Sequence, residues 1–162
     1  MSDCTLVTTA RVTVAVRTYA GPARDAGVAF DQVLSWANVY HVEQWGPLVG
    51  VYFDSLDPEI TLNAEAWLPV PAGTELSETD EERIVLRVVE AEPVAGLTHR
   101  GFPDGVGEAL ATLLSWVDEQ GLERSSDCHR QVYHHAPEGR PGEWVVEVQV
   151  PVFAPSAPHG DG

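Results

Sequence analysis

The tripeptide Leu-Ser-Trp occurs twice in this chain, at residues 34–36 and again at residues 114–116. The two copies lie 80 positions apart (34 to 114), and their flanks repeat at nearly the same distance. The matched blocks keep their order and drift by only two positions: Val14-Ala15 with Val94-Ala95, Gly21 with Gly101, Val51-Tyr52 with Val132-Tyr133, and Glu65 to Val70 with Glu147 to Val152. Ordered blocks of this kind are difficult to obtain by chance, so we interpret the chain as two copies of one supersecondary unit.

The first copy predicts a strand, a helix and a hairpin. Residues 5–19 predict a strand, because Val12, Val14 and Val16 alternate with Thr, Ala and Arg. Apolar residues at three- and four-residue steps predict a helix over residues 24–41, closed by Gly46-Pro47. Strands follow over residues 48–53 and 60–70, with a turn at residues 54–59.

The second copy follows the same plan. A strand over residues 84–89 precedes it, and a strand over residues 93–100 opens it. The helix is expected over residues 105–120, with Asp104 as its N-cap and Gly121 just past its end. Strands over residues 129–135 and 143–153 complete the copy.

Two such units predict an α+β fold of duplicated βαββ units related by a pseudo-twofold axis. The sheet is antiparallel-rich, and two long helices leave a central groove, where ligands tend to bind. Since 162 residues fit one domain, the repeats (about 5–70 and 84–153) are interpreted as halves of a single domain over residues 1–153. Residues 71–83 form an acidic linker, and residues 154–162 a flexible Pro/Gly tail.

Charge and composition narrow the function classes. The net charge of −16 repels phosphate backbones, so nucleic acid is not expected as a partner. No apolar run approaches the length of a membrane span, and no secretory signal follows Met1. Cys4 and Cys128 lack a CxxC spacing. These features predict a cytoplasmic protein with free thiols, one disulfide remaining an open alternative.

Several blocks resemble the GyrI-like small-molecule-binding family, which includes effector-binding domains of bacterial multidrug-responsive and AraC-type regulators as well as stand-alone proteins. The similar blocks are Pro93-Val94-Ala95 through His99-Arg100-Gly101, Leu114-Ser115-Trp116 ending at Gly121-Leu122, Gln131-Val132-Tyr133, and the pairs Pro69-Val70 and Pro151-Val152. The resemblance covers residues 5 to 153. It implies a groove lined by aromatic side chains, with buried acidic groups, for cationic or polyaromatic ligands.

The chain departs from the family pattern in two respects. Gln131 stands where the family often has the glutamate that balances a cationic ligand, which puts strong selection for cations in doubt. No DNA-binding helix-turn-helix precedes residue 5, so we expect a stand-alone protein and not a complete transcription factor.

Strand parity selects the candidate ligand-binding residues, because alternate side chains of a strand share one face. The predicted lining of the groove consists of Tyr19, Tyr52, Glu65, Trp67, His99, Gln131, Tyr133 and Glu147. An exposed sheet face is the alternative for both glutamates, and an amphipathic sheet position is the alternative for both tyrosines. Leu34 and Leu114 are placed on the packing stripes of the helices, with Trp36 and Trp116 at the stripe edges.

These features favour a stand-alone binding protein for hydrophobic, flat small molecules, cationic ones included, acting as a sensor, sequestering protein or resistance factor. One alternative is a hydrolase of a reactive small molecule such as a cyclopropane-bearing compound, with Glu147 activating water and Tyr133 or His99 positioning the substrate. Another is an acidic inhibitor of a basic protein such as gyrase. No cofactor is predicted. Metal is not predicted either, since His129 and His135 would lie roughly 20 Å apart along one strand.

Overall fold

Eight strands and two long helices make up the computed structural model, which describes residues 3–22, 25–53, 61–75 and 83–155. The strands are β1 (Thr5–Thr8), β2 (Val12–Pro22), β3 (Leu48–Tyr52), β4 (Thr61–Val70), β5 (Val85–Val89), β6 (Pro93–Arg100), β7 (His129–His135) and β8 (Val145–Pro151). The helices are α1 (Gly27–Val39) and α2 (Val106–Glu119). Neither described helix is long and apolar enough to span a membrane.

The strands form one antiparallel sheet in the order β1-β6-β8-β7-β3-β4-β2-β5. The order is symmetric about the β7–β3 pair, so the pseudo-twofold axis passes between these two central strands. Helix α1 packs on β2 and β4, and α2 packs on β6 and β8, the corresponding pair. The predicted α+β fold of two βαββ halves is therefore confirmed.

Several predicted boundaries were wrong for local reasons. The predicted strand over residues 5–19 is divided into β1 and β2. Helix α1 ends at Val39, well before Gly46-Pro47, because His41 adopts a left-handed φ of 57° and the Val42 N–H donates to Ala37 O at 2.8 Å. Gly121 (φ 67°) ends α2 in the same manner, as predicted.

The second helix also begins differently from the prediction. Asp104 makes no side-chain cap: it lies in a 3₁₀ turn over Pro103–Gly105, and Gly105 is the N-cap of α2. The predicted turn at residues 54–59 lies outside the described residues. So do residues 76–82 of the predicted linker and residues 156–162 of the predicted tail.

The sheet is closed by a ribbon formed from the segments that lead into the two halves. β1 pairs with β6 from Thr5 opposite Gly96 onward, and β2 pairs with β5 up to Val16 opposite Val85. The register is the same in both pairings. At the junction Thr9 N–H donates to Glu92 O at 2.8 Å, and Glu92 N–H donates to Thr9 Oγ1 at 3.1 Å. Residues 5–16 and 85–96 thus form one continuous antiparallel ribbon, and the leading strand of each half pairs with the other half.

Apolar side chains are buried on both faces of this sheet. On the helix side, Val33 and Trp36 of α1 pack on one half, and Leu113 and Val117 of α2 pack on the other. On the inner side, away from the helices, a third cluster contains Val14, Val16, Val51, Trp67 and Cys128. Neither cysteine forms a disulfide.

The two Leu-Ser-Trp copies pack differently. Trp36 is 1% exposed, whereas Trp116 is only partly buried. Leu34 was expected on the packing stripe, yet it is 37% exposed. The neighbours explain the difference, since α1 presents the smaller Val33 and Ala37 where α2 presents Leu113 and Val117. In the first half the indole of Trp36 therefore supplies the volume that aliphatic side chains supply in the second.

Candidate functional site

Helix α1 packs on β2 and β4 and α2 packs on β6 and β8, so the central strands β3 and β7 lie between the helices, and we call their helix-side surface the groove. The register places Tyr52 opposite His129, Gly50 opposite Gln131 and Leu48 opposite Tyr133. Directly opposed residues share a face of the sheet, and Tyr133 packs with the α2 core, so these side chains face the helices. The structure thus brings together three of the predicted ligand-binding residues, Tyr52, Gln131 and Tyr133.

The two tyrosines meet across the pseudo-twofold axis. Their hydroxyl oxygens are 2.7 Å apart. The ring of Tyr52 lies directly over Gly50, where a Cβ atom would be 2.5 Å from its hydroxyl oxygen. Gly50 therefore leaves the space that the ring occupies. The corresponding position in the second half holds Gln131, so the first half contributes the Tyr52 ring above Gly50 and the second half contributes an amide.

A directed chain of hydrogen bonds follows from the tyrosine pair. Tyr133 donates its hydroxyl proton to Gln131 Oε1 at 3.0 Å, so its oxygen must accept from Tyr52. The amide nitrogen of Gln131 donates to His129 Nε2 at 3.1 Å, which fixes the proton of a neutral His129 on Nδ1. His129 also stacks on Tyr52, with ring centroids 5.3 Å apart.

Every titratable group in this chain of hydrogen bonds is uncharged at neutral pH. Burial raises the pKa of Tyr52, and burial raises the pKa of Tyr133 well above its ordinary value. Burial, with a smaller contribution from the nearby Arg124 charge, lowers the pKa of His129 to about 4. The groove floor therefore offers hydroxyl, amide and neutral imidazole groups.

Aromatic rings from other elements surround Tyr133. Phe30 of α1 meets it edge-on at a centroid distance of 5.5 Å, and Trp144 meets it edge-on at 6.2 Å. An open surface depression of about 530 Å³ lies beside the same tyrosine and is lined by Gln44, Trp45, Gly46, Pro47, Tyr133 and His134. The groove thus combines ring edges, a polar floor and adjacent open space.

Tyr19 and His99 occupy matched positions on the helix side, and both are partly buried. Each uses a polar atom to hold the turn that leads into a helix. The hydroxyl of Tyr19 donates to Pro22 O at 2.5 Å, and His99 Nε2 donates to Phe102 O at 2.7 Å. These two predicted ligand-binding residues are therefore involved in shaping the turns at the groove ends.

Three other predicted lining residues face away from the groove. Glu65, Trp67 and Glu147 lie on the inner side of the sheet, so the prediction that all eight residues line one groove was wrong. Register decides the outcome: Tyr133 lies opposite Val146, which places the adjacent Glu147 on the opposite face. The predicted catalytic arrangement of Glu147 with Tyr133 or His99 is not assembled.

Both inner-side glutamates have partners of their own. Glu65 accepts from Arg87 at 2.7 and 3.1 Å and from Trp67 at 2.9 Å. Burial alone would raise the pKa of Glu65, but these hydrogen bonds and the Arg87 charge hold it below its ordinary value. Glu147 is bonded to His134 and Gln149, each at 2.9 Å.

Three groove residues were missed at the sequence level: His129, Phe30 and Trp144. The parity argument that selected Gln131 also applies to His129, two positions earlier on the same strand. Phe30 could be identified only as part of the apolar stripe of α1. Among the described residues, no group of three His, Cys, Asp or Glu side chains could hold a metal ion.

The buried neutral His129 predicts a loss of stability in mild acid. The folded-state pKa is about 4 and the ordinary value is 6.5, so the unfolded chain binds a proton first as the pH falls. The contribution of His129 is complete above pH 6.5 and is lost towards pH 4. This loss, on the order of 3 kcal/mol, should be absent in His129→Gln.

Urea unfolding of both proteins between pH 7 and pH 4.5 would measure this difference. Glu65 contributes its own loss only below its ordinary pKa of 4.5, so the upper part of the acid range reports on His129. Parallel stability curves for the two proteins would contradict the buried neutral state of His129.

A model of the GyrI-like small molecule binding domain matches residues 3–152. The chain therefore belongs to the GyrI-like small molecule binding domain family. A search of curated proteins by sequence gave no match.

Solved structures share the fold at low sequence identity. The EcmrR C-terminal domain is 17% identical with a TM-score of 0.79, over 94% of this chain and 98% of that one. A hydrolase encoded by lin2189 from Listeria innocua is 14% identical with a TM-score of 0.67, over 92% and 91%. SAV2435 bound to tetraphenylphosphonium is 13% identical with a TM-score of 0.58, over 94% of each chain.

Proposed function

We propose that this protein binds flat, aromatic small molecules in the groove between its repeats. The observation that carries the proposal is the hydrogen-bonded pair of Tyr52 and Tyr133 at the pseudo-twofold axis, flanked by Phe30 and Trp144. Ring faces and edges bind flat molecules without requiring a specific set of polar contacts. Each aromatic pair contributes about 0.5–1.5 kcal/mol beyond area burial. Family membership supports small-molecule binding, and SAV2435 binds tetraphenylphosphonium, a ligand with four aromatic rings around a positively charged phosphorus.

The role that fits this site is that of a cytoplasmic sensor, sequestering protein or resistance factor. A hydrolytic role has less support, because Glu147 faces the inner side of the sheet and is bonded to His134 and Gln149. The net charge of −16 would attract a basic protein partner, but no described contact supports such an interaction. Binding without turnover is therefore the function that we infer.

A thermal-shift screen with polyaromatic compounds, cationic dyes included, would test this proposal. Tyr133→Phe removes the hydroxyl from the centre of the hydrogen-bond chain and keeps the ring. We expect it to weaken the ligands found by about 2–10-fold, the usual contribution of one hydrogen bond. Glu147→Gln changes a carboxylate on the opposite face and serves as the control, with affinity unchanged.

The opposite pattern would contradict the groove assignment. If Glu147→Gln weakens binding and Tyr133→Phe does not, the ligand binds on the inner side of the sheet. Mass analysis of the recovered compound separates binding from turnover, since an unchanged mass supports binding and a hydrated product supports the hydrolase.

A further inference from the structure

The groove floor carries no negative charge. The four central strands, β3, β4, β7 and β8, contain two carboxylates, Glu65 and Glu147. Both face the inner side of the sheet, where Glu65 pairs with Arg87 and Glu147 pairs with His134. Neither is placed to neutralise a cation on the helix side.

The nearest charged side chain in the cross-strand row through the centre of the groove is positive. In the cross-strand row through the axis, Gln131 lies opposite Gly50, Gly50 opposite Ala66 and Ala66 opposite Arg17. Arg17 is partly buried, and its Nε donates to Gln32 Oε1 at 2.7 Å. A cation at the axis would therefore meet dipoles at the floor and no carboxylate in this cross-strand row.

The polar groups of the floor suit an uncharged hydrogen-bond acceptor. Gln131 is 8% exposed and bonded at both ends of its amide, to Tyr133 and His129. Tyr52 donates the first proton of the chain, and a ligand acceptor can take that proton in place of the Tyr133 oxygen. An ion without a partner charge loses far more solvation energy on burial than a neutral heteroaromatic ring does.

We propose that the groove selects flat aromatic ligands that carry no net charge and accept a hydrogen bond, and that Gln131 sets this preference. The inference rests on the proposed function, since it specifies the ligand class of the same groove. A carboxylate at position 131 would place a negative charge at the axis and reverse the preference.

Acridine and N-methylacridinium form a matched pair of probes, because they share one ring system and differ by a methyl group and a positive charge. Titrations at about pH 8 and about 0.5 M NaCl, where the Debye length is roughly 4 Å, would suppress general attraction to the acidic surface. The wild-type protein should bind acridine at least roughly tenfold more tightly than N-methylacridinium. In Gln131→Glu the ratio should reverse.

Ser115→Glu is the matched control, since it adds the same charge at an exposed position of α2 and should keep the wild-type ratio. The wild-type ratio is decisive even if Gln131→Glu does not fold. Equal or tighter binding of N-methylacridinium by the wild-type protein would overturn the inference. Failure of both acridines and of every compound in the screen would instead contradict the proposed function on which the inference rests.

Discussion

Replacing Trp36 with alanine is expected to lower the free energy of unfolding by about 3–5 kcal/mol, whereas the same change at Trp116 should cost about 1 kcal/mol. The two residues occupy the same place in the two sequence repeats. Trp36 is 1% exposed and packs among small residues, so its removal leaves a cavity that its neighbours cannot fill. Trp116 covers a core that Leu113 and Val117 already fill.

Urea unfolding followed by circular dichroism would measure both changes, with the denaturant midpoint and slope compared between variants. Equal losses would show that the two helices pack alike and would contradict the structure. Trp36→Phe provides a second test. The indole N–H of Trp36 has no hydrogen-bond acceptor among the described residues, so phenylalanine should cost much less than alanine.

Glu92→Gln is expected to be the second most damaging change, at about 2–3 kcal/mol. Glu92 belongs to the closing ribbon and forms an ion pair with Arg130 of β7, whose side chain is 9% exposed. The guanidinium lies 5.0 Å from the ring centroid of Trp67, and its Nε has no partner among the described residues. Loss of the carboxylate would leave a buried charge without compensation.

The same ribbon offers a matched control. Glu90 pairs with Arg11 at 3.3 Å, but both side chains are mostly exposed, so Glu90→Gln should change stability by less than about 0.5 kcal/mol. The double variant Glu92→Gln/Arg130→Met should recover part of the loss, because it removes the buried charge together with its partner. A Glu92→Gln protein as stable as Glu90→Gln would show that the ion pair does not secure the ribbon.

The two halves could be predicted because the repeated blocks and the alternation within strands are both read directly from the sequence. The parity of Gln131 with Tyr133, and of Glu65 with Trp67, was correct for the same reason. Parity states which side chains share a face, but it does not state which face meets the helices. In β2 the neighbours Val14 and Ala15 are both fully buried, so neither face could be identified as the outer one from hydrophobicity.

The face of the sheet on which Glu65 and Glu147 lie could not be predicted from the sequence of their own strands. Their face is set by the register of β4 against β3 and of β8 against β7, which the pattern of a single strand does not contain. The burial of the inner face depends on the closing ribbon, whose junction joins Thr9 to a residue 83 positions away. No local signal in the chain specifies that contact.

The ribbon of residues 5–16 and 85–96 also means that neither half could complete its strand pairing alone. A single βαββ unit with its leading strand would have to lend that strand to a second copy and receive one in return. The smallest self-sufficient form of such a unit is a strand-exchanged homodimer, and joining its two chains end to end would produce the present molecule. In such a homodimer the two positions at the axis would hold the same residue, whereas in the present chain they hold Gly50 and Gln131, so the two sides of the groove centre differ.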